Sequence, residues 1–182
     1  MRKIIESTLV SADGVVGSPP RWALDYRDEE VTRDALERLS GSDAMLMGRG
    51  TYELFAATWP GQTDDFAQRM NTIRKYVFSS TLASARWSNS TIIRGDVVAQ
   101  VTKIKEQDGT DLALFGHGQL AQTLLENGLI DELRLSIHPV LAGAGLPQFS
   151  NGHKAPLTLV SAKTFTTGVV VLSYQTAGAW HE

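Results

Sequence analysis

The hydrophobic period of this chain changes once, and that change restricts the fold more than any single residue does. From Lys3 to Gly128 short apolar runs alternate with helical stripes, and from Leu133 onward only strand patterns follow. Lys3 to Val10 is apolar and β-branched and ends near the turn signal Asp13-Gly14. Glu29 to Leu39 puts Val31, Ala35, Leu36 and Leu39 on one helical stripe, with Gly41 just beyond it. Ala44 to Met47 reads as a short buried strand, Thr51 to Ala57 as a short helix, and Asp64 as the cap of a helix through Met70. Tyr76 to Phe78 and Thr91 to Ile93 give two more strands, the second followed by helical spacing at Val97, Val98, Val101 and Ile104. Leu112 to Phe115 is a strand, and Gln119 to Asn127 a helix closed by Gly128. Leu133, Leu135 and Ile137 then alternate with Arg134, Ser136 and His138, a half-buried strand that turns His138 outward. Leu157 to Phe165 and Val169 to Tyr174 flank Thr167-Gly168 as a closing hairpin. The pattern predicts an α/β fold: a mostly parallel sheet covered on both faces, with an antiparallel C-terminal edge.

No repeat, low-complexity tract or linker divides the 182 residues, so residues 1–182 are expected to form one domain. The net charge of −3 is spread among interspersed acids and bases, which leaves no basic patch for nucleic acid. There is no cysteine, which excludes disulfides, thiolate metal sites and thiol catalysis. His117, His138, His153 and His181 lack metal-ligand spacing, and Lys3, Lys75 and Lys103 read as solvated charges. The start Met1-Arg2-Lys3-Ile4-Ile5-Glu6 lacks a signal peptide's apolar core, and no run is long enough to span a bilayer. A cytoplasmic protein is the expectation.

Chemistry is expected in the loops at the carboxyl ends of the strands, where open α/β sheets bind ligands. Met45-Leu46-Met47-Gly48-Arg49-Gly50-Thr51-Tyr52-Glu53 ends an apolar strand at a glycine, shows one arginine, and opens a helix. The first N–H groups of a helix lack intrahelical partners and lie at its electropositive end, and arginine adds a planar fork of donors. Such a turn suits a phosphate, and a nucleotide cofactor follows from it. An ordinary strand-to-helix turn with a solvated arginine is the plainer alternative. Ser79-Ser80-Thr81 offers hydroxyls to an adenosine phosphate or to its own turn. Gly116-His117-Gly118-Gln119-Leu120 could admit a diphosphate, although the full Gly-x-Gly-x-x-Gly fingerprint is absent.

Met47-Gly48-Arg49-Gly50-Thr51 resembles the Met-Gly-Arg-x-Thr segment of the dihydrofolate reductase fold. Ser11-Ala12-Asp13-Gly14-Val15-Val16 looks like the Ser-x-Asp-Gly opening of that fold's riboflavin-biosynthesis reductase branch. Leu124 to Leu133, with Gly128-Leu129-Ile130-Asp131-Glu132-Leu133, and then Pro139 to Gly145 and Phe149 are similar to two further segments of that branch. The likeness runs in order from about Ile4 to Tyr174, and the chain resembles the C-terminal domain of the bifunctional riboflavin deaminase/reductases (RibD). A zinc deaminase half has no counterpart in this sequence, which lacks cysteine and a His-x-Glu motif.

The resemblance implies reduction by NADPH. It implies that Arg49, Ser79 and Ser80 hold the adenosine 2′-phosphate and that Thr51, with Gly48 and Gly50, holds the diphosphate. The family's Gly-Gly turn, which lies against the diphosphate, reads Gly116-His117-Gly118 here, leading into Gln119 and Leu120. Hydride transfer belongs to the cofactor, and the protein supplies orientation and a proton. Candidate acids are Asp28, Asp25 and Asp13. Asp25 and Asp28 also suit a helix start, and Asp13 also suits a turn. Trp22 could stack on a flat substrate or serve in packing. The expected activity is NADPH-dependent reduction of a small heterocycle of pteridine or pyrimidine type. The alternatives are 5-amino-6-(5-phosphoribosylamino)uracil reduction and a nucleotide-binding module without catalysis. A homodimer is implied by the same resemblance.

Overall fold

The computed structural model describes residues 1–145, 147 and 156–177. In chain order the elements are β1 (Ile4–Ser11), α1 (Glu29–Ser40), β2 (Ser42–Gly48), α2 (Arg49–Thr58), α3 (Asp65–Thr72), β3 (Arg74–Phe78) and β4 (Ser90–Ile93). They continue with α4 (Val97–Glu106), β5 (Asp111–Phe115), α5 (Gln119–Glu126), β6 (Glu132–His138), β7 (Leu157–Thr164) and β8 (Val170–Thr176). Two 3-10 turns, Pro19–Arg21 and Leu24–Tyr26, interrupt the long connection from β1 to α1. The strands form one eight-stranded sheet in the order β4-β3-β2-β5-β1-β6-β8-β7. The first six strands are parallel to their neighbours, whereas β8 pairs antiparallel with both β6 and β7. This is the expected α/β architecture with its antiparallel edge.

Each face of the parallel part has its own core. Ile4, Leu46, Leu112 and Leu114 meet Val101, Ile104, Leu124 and Leu125 on the side of α4 and α5. Met45, Met47 and Val77 meet Leu39, Tyr52 and Met70 from α1, α2 and α3 on the other. Each large side chain removed from water in this way contributes about 1.5–3 kcal/mol before entropy is counted. The Asp131 carboxylate accepts from the Ile4 amide at 2.8 Å and from Lys105 Nζ at 2.6 Å, which pins the start of β1 beside α4. The Leu-x-Asp-Glu segment therefore has a structural task.

Three expectations need correction. His138 does not face outward: it is only 4% exposed. The β1–α1 connection folds over the end of β6 and sets the ring edges of Trp22 and Tyr26 against it, at centroid distances of 5.4 and 5.9 Å. Alternation along one strand carries no information about a distant loop. Lys75 is not solvated but fully buried. Its ammonium donates to the carbonyls of Asn71, Ile73 and Ser88 at 3.1, 2.7 and 3.1 Å and lies 4.3 Å from the centre of the Trp87 ring. Burial, with Arg69 nearby, pulls its pKa down to about 8. Finally, α2 opens at Arg49 rather than Thr51, so Gly48 is the residue that precedes its first turn. The expected one-sided burial of β6 is also blurred. Leu133 is buried, but Leu135 and Ile137 are only half covered, and Phe165, Val169 and Val171 pack with Tyr26 and Val31 beside the opposite face.

Candidate cofactor and active site

Six strand ends and two helix starts lie along the carboxyl edge of the parallel strands. Gly48 precedes α2 and Gly118 precedes α5, and neither helix has a side-chain cap. Because β2 and β5 are neighbours, the two starts are adjacent, and a methyl group added at Gly48 would lie 3.7 Å from Leu120 Cβ. A side chain added at Gly50, Gly116 or Gly118 would meet nothing within 4 Å. Amides that begin two helices thus face open space at one place, which is the arrangement that holds a diphosphate. Thr51 sits in the first turn of α2, and Gln119 and Leu120 in the first turn of α5.

Arg49 stands at the outer side of this pair. Its Nε donates to Glu53 Oε1 at 2.7 Å, and one terminal nitrogen donates to Thr81 Oγ1 at 2.8 Å. Both ends of the ion pair are about half exposed, so water screens it and an anion can compete for the guanidinium. Ser79 Oγ accepts from the Leu82 amide at 3.0 Å, which shapes the turn after β3, and Ser80 is exposed. Arg94, at the end of β4, donates to the carbonyls of Ser79, Ser80 and Leu82 at 3.2, 2.6 and 2.7 Å. It brings a second guanidinium to the turn that holds Ser79 and Ser80. Its one signal in the sequence is an arginine placed directly after a strand at this edge.

The turn after β5 solves the problem posed by its histidine. Gly116 takes φ +75°, a left-handed conformation that glycine adopts without penalty, and its amide donates to the Ser7 carbonyl at 3.0 Å. The His117 side chain points inward, 2% exposed, and its Nδ1 lies 2.7 Å from Oε1 of the buried Glu6. The outer surface of the turn is left to backbone. In the sequence Glu6 is visible only as an acid inside the apolar run of β1, because its partner lies 111 residues away.

Beside this edge the sheet is left uncovered among the described residues. Leu9, in a central strand, is 40% exposed. Ser7 pairs with Phe115, and Leu9 with Ser136, so all four point to the same face. Phe55 from α2 meets Phe115 edge-on at 5.9 Å on one side of this floor. Trp22, Tyr26 and His138 stand on the other side. Trp22 is held by its indole N–H, which donates to the Gly17 carbonyl at 3.0 Å. Burial lowers the pKa of His138, against the carbonyls of Ser136 and Val10.

The three candidate acids have different surroundings. Asp13 accepts a bond from the Ser11 hydroxyl and from the amides of Ala142 and Gly143 at 3.0 and 2.8 Å. These donors, Ser11 foremost, pull its pKa down to about 2. It clasps the Pro139–Gly145 segment to the end of β1. There Gly145, at φ +153°, packs so closely on Val15 that an added methyl would lie 2.5 Å from Val15 Cγ1. Asp28 caps α1 by accepting from the Val31 amide at 2.8 Å. Asp25 lies exposed in the turn Leu24–Tyr26, and among the described residues nothing engages it. Phe149, His153 and His181 lie outside the described residues. A broad hollow lined by Arg69, Arg74, Arg86 and Trp87 opens at the amino ends of β3 and β4, the edge opposite to this chemistry.

The model of the RibD C-terminal domain matches residues 2–171. Uncharacterized protein YyaP of Bacillus subtilis (strain 168) is 31% identical over 186 residues, which cover 97% of this chain and 96% of that protein. A protein of Shewanella sp. PV-4, provisionally named for riboflavin biosynthesis, superposes with a TM-score of 0.74 at 19% identity, over 96% of this chain and 98% of its own. The diaminohydroxyphosphoribosylaminopyrimidine deaminase/5-amino-6-(5-phosphoribosylamino)uracil reductase of Thermotoga maritima superposes with a TM-score of 0.69 at 14% identity. That match covers 97% of this chain but 57% of the Thermotoga protein. At these identities the two structures show the fold alone. Together with YyaP, the domain match shows that the chain belongs to the RibD C-terminal domain family.

Proposed function

We propose that this member of the family is an NADPH-dependent reductase of a small heterocycle of pteridine or pyrimidine type. The observation that carries the reading is the convergence of two uncapped helix starts at Gly48 and Gly118 beside Arg49. The residues present fit the cofactor: open glycines for its diphosphate, and a half-exposed guanidinium with serines for a 2′-phosphate. Gly48, Gly50, Thr51 and the Gly116-His117-Gly118-Gln119-Leu120 turn would hold the diphosphate. Arg49, Ser79 and Ser80 would hold the 2′-phosphate, with Arg94 bracing their turn. When bound, NADPH supplies the hydride.

The chain's own contribution is placement and a proton. The apolar Leu9 floor between Phe115 and Trp22 suits a flat ring, which gains by leaving water and by stacking. Asp13 is ionised at neutral pH and has no proton to give, and its task is the loop clasp. Asp28 is committed to the α1 cap. Asp25 is the remaining candidate acid, exposed in the turn Leu24–Tyr26. The uracil reductase activity named for the Thermotoga protein is the narrower form of this reading. A nucleotide-binding module without turnover is the second reading, favoured by the commitment of two of the three acids to backbone amides. A small-molecule partner and pairing of two copies belong to the same proposal.

Two measurements separate the readings. NADPH at a hundredfold excess over its Kd should raise the melting temperature by about 5 °C or more through mass action. NADPH oxidation with pteridine and aminouracil substrates should follow. A thermal shift without oxidation would select the binding module, and no shift at millimolar NADPH would remove both readings.

A further inference from the structure

We propose that Glu6 is a positioning residue for the cofactor: its buried hydrogen bond to His117 holds the Gly116–Gly118 turn in the shape that receives the diphosphate. The inference rests on the NADPH reading of that turn. Glu6 is completely buried in the centre of the sheet, level with Leu114 of β5 and Leu133 of β6. A carboxylate there is strongly disfavoured unless it is hydrogen-bonded. Its Oε1 receives the His117 ring at 2.7 Å and the Thr8 hydroxyl at 3.1 Å. Its Oε2 meets no donor among the described residues. A leucine at this position would serve the core better, since buried polar pairs are often replaced by apolar residues without loss of stability.

What the pair does achieve is local. His117 lies between two exposed glycines, one of them left-handed, in a turn that has many alternative shapes by itself. Anchoring the one side chain of that turn inside the sheet removes those alternatives before a ligand arrives, and so lowers the cost of binding. The family's usual Gly-Gly turn has no side chain to anchor. The two departures from expectation, a charge within β1 and a histidine within the turn, touch each other and are explained together.

The test uses the full chain and two probes: NADPH, and adenosine 2′-monophosphate, which lacks the diphosphate and reports on the Arg49 end alone. Glu6→Ala should weaken NADPH about tenfold, the loss of one buried hydrogen bond, and leave adenosine 2′-monophosphate within about twofold. Glu6→Gln should recover most of the affinity, because its amide oxygen accepts the same bond. The double variant Glu6→Leu/His117→Ser should melt at or above the wild-type temperature and still bind NADPH about tenfold more weakly, which separates binding from stability. Unchanged NADPH affinity in the double variant would overturn the proposal, as would equal weakening of both probes by Glu6→Ala. A wild-type chain that binds neither probe overturns the cofactor reading and this proposal with it.

Discussion

The five α-helices among the described residues begin in two different ways. At α1, α3 and α4 an aspartate supplies the cap: Asp28 to the Val31 amide at 2.8 Å, Asp64 to Ala67 at 3.0 Å and Asp96 to Ala99 at 2.7 Å. At α2 and α5 a glycine stands in that place and supplies no side-chain cap. An aspartate cap contributes about 1 kcal/mol relative to alanine and roughly a few tenths of a kcal/mol relative to glycine. The two glycine starts are also the two that touch, at the centre of the carboxyl edge. Stability is forgone where a ligand would supply the missing acceptor, and taken where none would.

The sharpest way to break this contrast is to convert one class into the other. Gly118 has an ordinary backbone conformation and open space around a would-be Cβ, so Gly118→Asp should fold. The new carboxylate would occupy the α5 amides and repel the diphosphate. NADPH affinity should fall about a hundredfold or more in titration, while the melting temperature stays level or rises by about 2–4 °C. Next in size is Arg49→Ala. Removal of a charged donor from the 2′-phosphate should weaken NADPH about ten- to a hundredfold and leave NADH unchanged. Loss of the half-exposed Glu53 pair should hardly alter stability. The opposite class behaves inversely. Asp64→Ala should lower stability by about 1 kcal/mol, read as a fall of about 2–4 °C on melting, with NADPH affinity unchanged.

The smallest effect concerns Asp13, an aspartate that serves backbone amides outside any helix. Its pKa in the folded chain, about 2, lies below the usual 3.8, so it stabilises the fold above about pH 4, and that contribution is lost as pH falls towards 2. Asp13→Asn should therefore melt below the wild type at pH 7, with the gap narrowing between pH 4 and pH 2. A gap independent of pH would show that the clasp does not depend on the charge.

The fold was legible because hydrophobic period is local: the eight residues of β1 are enough to announce a strand, and Val31 to Leu39 to announce a helix. The Asp64 cap was legible for the same reason. The site was legible only as pieces of chain. Gly48-Arg49-Gly50-Thr51 suggests a turn suited to a phosphate, but the closeness of Gly48 to Leu120 depends on β2 lying beside β5. Glu6 and His117 are separated by 111 residues, and each looked ordinary alone. His138 and Lys75 were misread because burial of their faces comes from segments that their own strands do not specify: the β1–α1 connection and the Trp87 loop. Local pattern records the side on which a residue is expected to lie; tertiary packing decides what lies opposite.

Calorimetric titration of the full chain with NADPH and with NADH tests the central claim most directly. The paired glycine starts beside Arg49 predict saturable binding of one NADPH per chain, at least about tenfold tighter than NADH. Absence of saturable heat with NADPH, or equal affinity for the two cofactors, would contradict it.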